Sequence, residues 1–167
     1  MKQGTVSVLI GCHSIGHSVL VTLAWHKLYH RWPTPWQLGC ILLHDIGHWG
    51  KDYLDHYSDK RKHAVLGAVV ARRLFGRRGW DLVIGHNTYN GHPRSDLFTP
   101  DKYSWLIAPS CWLMSNRWFE PKLARPGLGV RDDIRQFKVA LRENMEANFP
   151  EHGHEIYLRQ CNRAKVE

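Results

Sequence analysis

Apolar residues in this chain recur at the three- and four-residue spacing of helix faces, and no stretch sustains the alternation of a half-buried strand. No Asn-Gly turn sits between two strand-like runs either. The expectation is an all-α fold. A first helix is predicted over residues 5–30, stopping before "RWPTP". Thr34 then offers an N-cap with Pro35 at the first helical position, opening a helix through "WQLGCILLHDIGH". Ser58 is the next cap, for "DKRKHAVLGAVVARRLF", with Gly76 as its stop. "WDLVIGHN" reads as a short helix ended by Asn90-Gly91 and His92-Pro93. Thr99-Pro100 caps "DKYSWLIA", which Pro109 closes. Residues 120–130, rich in Pro and Gly, read as a loop. "VRDDIRQFKVALRENMEANF" reads as an amphipathic helix with Ile134, Phe137, Val139, Ala140 and Met145 toward the core.

At 167 residues, 43% of them hydrophobic and with no linker, repeat or low-complexity tract, the chain is expected to form one domain over 1–167. "VSVLIGCHSIGHSVLVTLAW" is about as long as a membrane span, but His13 and His17 in its middle favour a buried helix. No cleavage site marks a signal peptide. A cytoplasmic protein without a membrane partner is expected. The four cysteines, Cys12, Cys40, Cys111 and Cys161, form no CxxC pair and read as buried free thiols of a reducing compartment. A formal net charge of +8 favours an anionic partner, although the basic residues are scattered. No base-reading helix or aromatic platform is present, so sequence-specific nucleic-acid binding is not expected.

Twelve histidines make the load of imidazole high. With 3.6 residues per turn, His13 and His17 share one face of the first helix, and His44 and His48 share a face of the second. His26, His30, His56, His152 and His154 read as ordinary hydrogen-bonded or half-exposed side chains. The others differ, because separate helices each end an apolar run with a nitrogen or carboxylate ligand. Burying such groups together is costly unless something pairs with them, and a divalent cation does so.

The order His17, His44-Asp45, Asp101 resembles the HD-domain superfamily of metal-dependent phosphohydrolases, over a motif core of residues 13–108 with a helical extension over 109–167. "LLHDIGH" is the most specific piece, beside "HSVLVTLA", "KHAVLGA" and "PDKYSWLI". The resemblance implies a helical bundle whose ligands converge in a central cleft. His17, His44, Asp45 and Asp101 would hold one ion, and His63 and His86 a second, bridged by Asp45. Either His13 or His17 reaches the metal, and the distance to His-Asp favours His17. Nitrogen and oxygen ligands without thiolate suit Mn, Fe, Co, Ni or Zn, as one or two ions. The implied activity is hydrolysis of a small phosphorylated molecule, first of all a nucleotide, by metal-activated water. Asp45, His48 and Lys51 would then be catalytic, with His13, Lys60, Arg94 and Lys102 contacting substrate.

The same residues leave alternatives open. "HDIGH" with two further histidines is also similar to the HD-fold mixed-valent diiron oxygenases acting on small polar substrates, and it begins the motif of deoxynucleotide triphosphohydrolases. "GHNTYNGHP" partly matches the GYP-bearing subgroup, departing from it at Gly85, Asn87 and His92-Pro93. A degenerate, nucleotide-binding HD domain is the third reading. The late helix packs on the bundle or forms a homo-oligomer.

Overall fold

The computed structural model describes residues 1–51, 57–87, 90–120 and 127–148, of which 57–61, 144 and 146–148 by their main chain alone. His56, His152, His154, Cys161 and the side chains of Ser58 and Lys60 lie outside the described residues, as does 121–126 of the expected loop. The fold is all-α, and the described residues contain no strand. The helices are α1 (Gln3–Leu9), α2 (Ile15–Tyr29), α3 (Pro35–Leu43), α4 (Tyr57–Phe75), α5 (Arg77–Ile84), α6 (Phe98–Ile107), α7 (Ser110–Phe119) and α8 (Val130–Asn148).

The expected helix over 5–30 is broken in two. Its break falls at residues 10–14, where the Cys12 amide donates to Glu120 Oε1 at 2.8 Å instead of to a carbonyl four residues back. The Cys12 thiol donates to the other oxygen of that carboxylate, also at 2.8 Å. Glu120 is fully buried at the end of α7, 108 residues away, so nothing local announced the break. The apolar run is thereby divided between helices of 7 and 15 residues. Among the described residues, no helix is long and apolar enough to cross a membrane.

α3 begins as expected, with Pro35 in its first turn and the Thr34 amide donating to Gln37 Oε1 at 2.9 Å. It ends at Leu43, short of the expected His48. His44 and Asp45 lie in a turn, and Ile46–His48 form a single 3-10 turn, so His44 and His48 do not share an α-helical face. α4 starts at Tyr57 rather than at Ser58 and stops before Gly76, as read. α5 follows at once from Arg77, ahead of the expected Trp80. α6 takes Thr99 and Pro100 into its first turn. α7 was not anticipated: Pro109 closes α6 and also stands at the N-cap of the next helix. On α8 only Ile134 and Met145 of the expected core side are buried, with Phe137 half-buried. Val139 and Ala140 are exposed, because the seam facing α6 and α7 follows Ile134, Phe137, Leu141 and Met145 and those two sit off it. Cys12 and Cys40 are buried free thiols, but Cys111 is exposed on α7.

One core joins Val21 and Trp25 of α2, Cys40 and Ile41 of α3, Leu82 to Ile84 of α5, and a stripe of Ala64, Ala68 and Ala71 on α4. The alanines let α4 lie close. Two glycines carry this closeness to the His44-Asp45 turn: a Cβ on Gly47 would run into the His63 carbonyl, and one on Gly67 into the carbonyls of Leu43 and His44. α4 is therefore seated backbone to backbone on that turn, which sets where His63 points. Replacing Gly47 by alanine is expected to cost about 1–3 kcal/mol through this overpacking, read as a lower urea midpoint. An unchanged midpoint would show that α4 does not sit where described.

Candidate metal centre

Helix ends place two of the imidazoles. The last carbonyls of a helix lack intrahelical donors. His44, the residue after α3, donates its Nδ1–H to Ile41 O at 2.6 Å, and His86, just past α5, donates its Nδ1–H to Val83 O at 2.6 Å. Each bond fixes the tautomer and leaves a lone pair on Nε2. His17 reaches the same state by another route. Ser104 Oγ donates to Asp101 O at 2.6 Å, so its oxygen, 3.4 Å from His17 Nδ1, accepts from that ring. Trp105 stacks on His17 at 4.7 Å between centroids and holds its plane.

The three Nε2 atoms converge on Asp45 and Asp101. Asp45 Oδ2 lies 3.0 Å from His44 Nε2 and 3.4 Å from His17 Nε2. Asp101 Oδ1 lies 3.0 Å from His17 Nε2 and 3.7 Å from His44 Nε2. Metal–ligand bonds of about 2.1 Å separate neighbouring ligands by roughly 3.0–3.4 Å, depending on coordination geometry. The spacing fits one ion. His44 Nε2 is a buried nitrogen with no hydrogen-bond partner, even though a carboxylate oxygen lies 3.0 Å away. Lone pairs face each other there, an arrangement that repels unless a cation sits between them.

Asp45 Oδ1 faces a second pair, His63 Nε2 and His86 Nε2, each at 3.6 Å, with 2.8 Å between the two nitrogens. One carboxylate thus serves two ligand groups, one per oxygen. A third group joins it with His13 and His48. His48 stacks on His63 at 4.4 Å and meets His13 at 4.1 Å with the two rings tilted by 32°. The six expected metal ligands, His17, His44, Asp45, His63, His86 and Asp101, are therefore brought together as two overlapping groups, and these buried groups can hold a metal ion. Between His13 and His17, His17 belongs to the first group, while His13 lies in the turn before α2 and not on a shared helix face.

The cationic residues divide. Lys102 donates to Asp101 Oδ2 at 2.7 Å and stays about a third exposed, at the rim. Arg94 is exposed and lies over the Phe98 ring at 4.6 Å, which Lys102 also approaches at 5.9 Å. Lys51, half-buried, ties its segment to α1 by accepting from the Gly4 amide at 2.8 Å. Lys60 lies outside the described side chains.

Sequence reasoning missed Asn87, Ser104, Trp105 and the group Ser7, Cys12 and Glu120. Asn87 is buried with its Nδ2 3.2 Å from His63 Nε2. A polar residue directly after a ligand histidine, as Asn87 is to His86, was the one local signal available. The rest arrive from distant segments.

Charge inside the centre follows from burial and from the carboxylates. Burial opposes ionisation of Asp45, yet His44 and His13 hold its carboxyl well below the usual range. Burial likewise opposes Asp101, which Lys102 and His17 hold low. For His44, burial opposes the charge, but Asp45 and Asp101 outweigh it and raise the imidazole to about 10. The two carboxylates demand positive charge, and a divalent ion would displace that proton. Burial pushes His13 down to about 4 and His48 to about 3, and burial with His86 holds His63 well below its ordinary value. These rings are neutral, the state in which an imidazole can act as a ligand.

No family model, curated protein or solved structure matches this chain.

Without metal, stability is expected to peak near neutrality. Unfolding restores ordinary values to His13, His48 and His63, so below about pH 6.5 the unfolded chain binds more protons and stability falls with acidification. His44 works oppositely: the folded chain keeps a proton that the unfolded chain releases, so its contribution is lost as pH rises from about 6.5 toward 10. Urea midpoints at pH 5, 7 and 9 should be highest at 7, and a flat profile from 7 to 5 would contradict the neutral rings. A divalent ion at 100 times its Kd should add about 2.7 kcal/mol at pH 7.

Proposed function

We propose that this chain is a metal-dependent phosphohydrolase of the HD type, acting on a nucleotide or a related phosphate ester. The observation that carries the reading is the buried Asp45 carboxylate with one ligand pair on each oxygen: His17 and His44 on Oδ2, His63 and His86 on Oδ1. The tautomers of His17, His44 and His86 all turn lone pairs inward, which suits Mn, Fe, Co, Ni or Zn. One or two such ions would supply Lewis acidity and an activated water.

The chain's own groups would do the remaining work. Asp45 would hold the two ligand pairs in register. Asp101 divides its carboxylate between the His17 side and the Lys102 ammonium, so a cation stands at the rim where a phosphoryl oxygen would enter. Lys102 would orient that oxygen, and Arg94, beside it on Phe98, would meet a more distant anionic group. Because His48 is neutral at pH 7, it would offer the site a lone pair rather than supply fixed charge.

The test is turnover of a panel of nucleotides and simple phosphate esters by protein loaded with Mn²⁺. Asp45→Ala should abolish it. Ser104→Ala, which leaves every ligand in place, should lower metal affinity or activity by about 10–100-fold. Absence of any hydrolysis product from mono-, tri- and cyclic nucleotides would remove the hydrolase reading. Dioxygen consumption by the iron-loaded protein that depends on an added small polar organic substrate would transfer the site to an HD-fold diiron oxygenase.

A further inference from the structure

We propose that His13 and His48, with Asp45, form a third cation position in this centre, filled together with a phosphate-class anion. The proposal rests on the metal-dependent reading above and extends it. The ligand atoms of His13, Asp45 and His48 lie within 4.8 Å of one another. His48 is 3% exposed, and its Nδ1 is buried with no hydrogen-bond partner. Such a nitrogen costs free energy unless something meets it.

His13 shows what that something is. The single thiol proton of Cys12 goes to Glu120 Oε2 at 2.8 Å. Cys12 Sγ, 3.3 Å from Ser7 Oγ, can then only accept, and the arrangement that satisfies every contact of the group has the Ser7 hydroxyl donating to it. Ser7 Oγ in turn accepts from His13 Nδ1–H at 2.7 Å, and Cys12 Sγ lies 3.2 Å from the same nitrogen. Glu120, Cys12 and Ser7 thus pass one donor direction along the line, and His13 is left with a lone pair on Nε2. A neutral imidazole in that tautomer cannot donate to a phosphate oxygen. It can bind a cation, as His17, His44 and His86 can, and its other nitrogen is held by a hydrogen-bond line of the kind that orients metal-ligating histidines.

Asp45 has lone pairs enough to be shared three ways, since a carboxylate offers about four acceptor positions. Charge sets a condition. Asp45 and Asp101 together offset only one divalent ion, so the uncompensated charge grows with each further ion and is largest at the third position, which an entering anion would relieve; Lys102 at the rim already favours one. Inorganic phosphate is the simplest probe.

The experiment is equilibrium dialysis of the full chain against Mn²⁺ with and without inorganic phosphate. Phosphate is expected to add one ion per wild-type chain to the one or two bound without it, and to add none to His48→Gln. Ser7→Ala, which frees the His13 tautomer without removing a ligand, should weaken only the phosphate-dependent ion, by about 10–100-fold. One or two ions, unchanged by phosphate, overturns the further position and leaves the proposed function standing; none overturns both. A count in His48→Gln equal to wild type also overturns it, even if phosphate binding is lost, because His48 is then an anion contact. Should His48→Gln fail to give the native circular dichroism, Ser7→Ala decides, and wild-type binding in it rejects the proposal.

Discussion

A buried carboxylate surrounded by imidazoles is the constraint around which the rest is arranged. Asp45 is 6% exposed, and an unpaired charge at that depth costs several kcal/mol. Its two oxygens are met by His17 and His44 on one side and by His63 and His86 on the other. Those rings are neutral donors of lone pairs unless protonated, and lone pairs do not stabilise a carboxylate. The centre is consistent only with added positive charge, from a proton on His44 in the bare chain or from metal cations.

Ordinary features of helix architecture serve this requirement. A helix end leaves carbonyls without donors, and both His44 and His86 supply the donor from Nδ1 while their Nε2 atoms turn toward Asp45. The same bonds that finish α3 and α5 therefore orient two ligands. His63 needs a different device, because it sits within a helix. The alanine stripe of α4, with Gly47 and Gly67, brings that helix against the turn bearing His44 and Asp45. Small residues here decide where a ligand points, though none of them touches the centre.

The readable and unreadable parts of the site divide along the same line. That His17, His44, Asp45, His63, His86 and Asp101 can gather was legible partly because polar groups at the ends and inner faces of apolar helices stand out, and partly because their order resembles the HD-domain motif. Ser104 was not, since a serine three residues after an aspartate on a helix is commonplace until His17 is seen beside it. Glu120 lies in a stretch that carried no helical expectation, yet it breaks the first helix by holding Cys12 from 108 residues away, and Cys12 and Ser7 carry the contact on to His13. His48 looked like a partner of His44 on one face, and the end of α3 at Leu43 turned it instead toward His13 and His63.

The amino-acid order alone determined that the chain is helical, where most of its helices run, and which side chains are chemically able to gather around a cation. Periodicity, caps and breakers act within a few residues, so they survive without knowledge of the fold. Only the tertiary structure decided how the candidate ligands are shared: which histidines face which oxygen of Asp45, that His13 stands apart from His17, and that a distant carboxylate ends the hydrogen-bond line that reaches it. Those choices depend on contacts between segments far apart in the chain, and backbone-to-backbone closeness at Gly47 and Gly67 settles them before any ligand is involved.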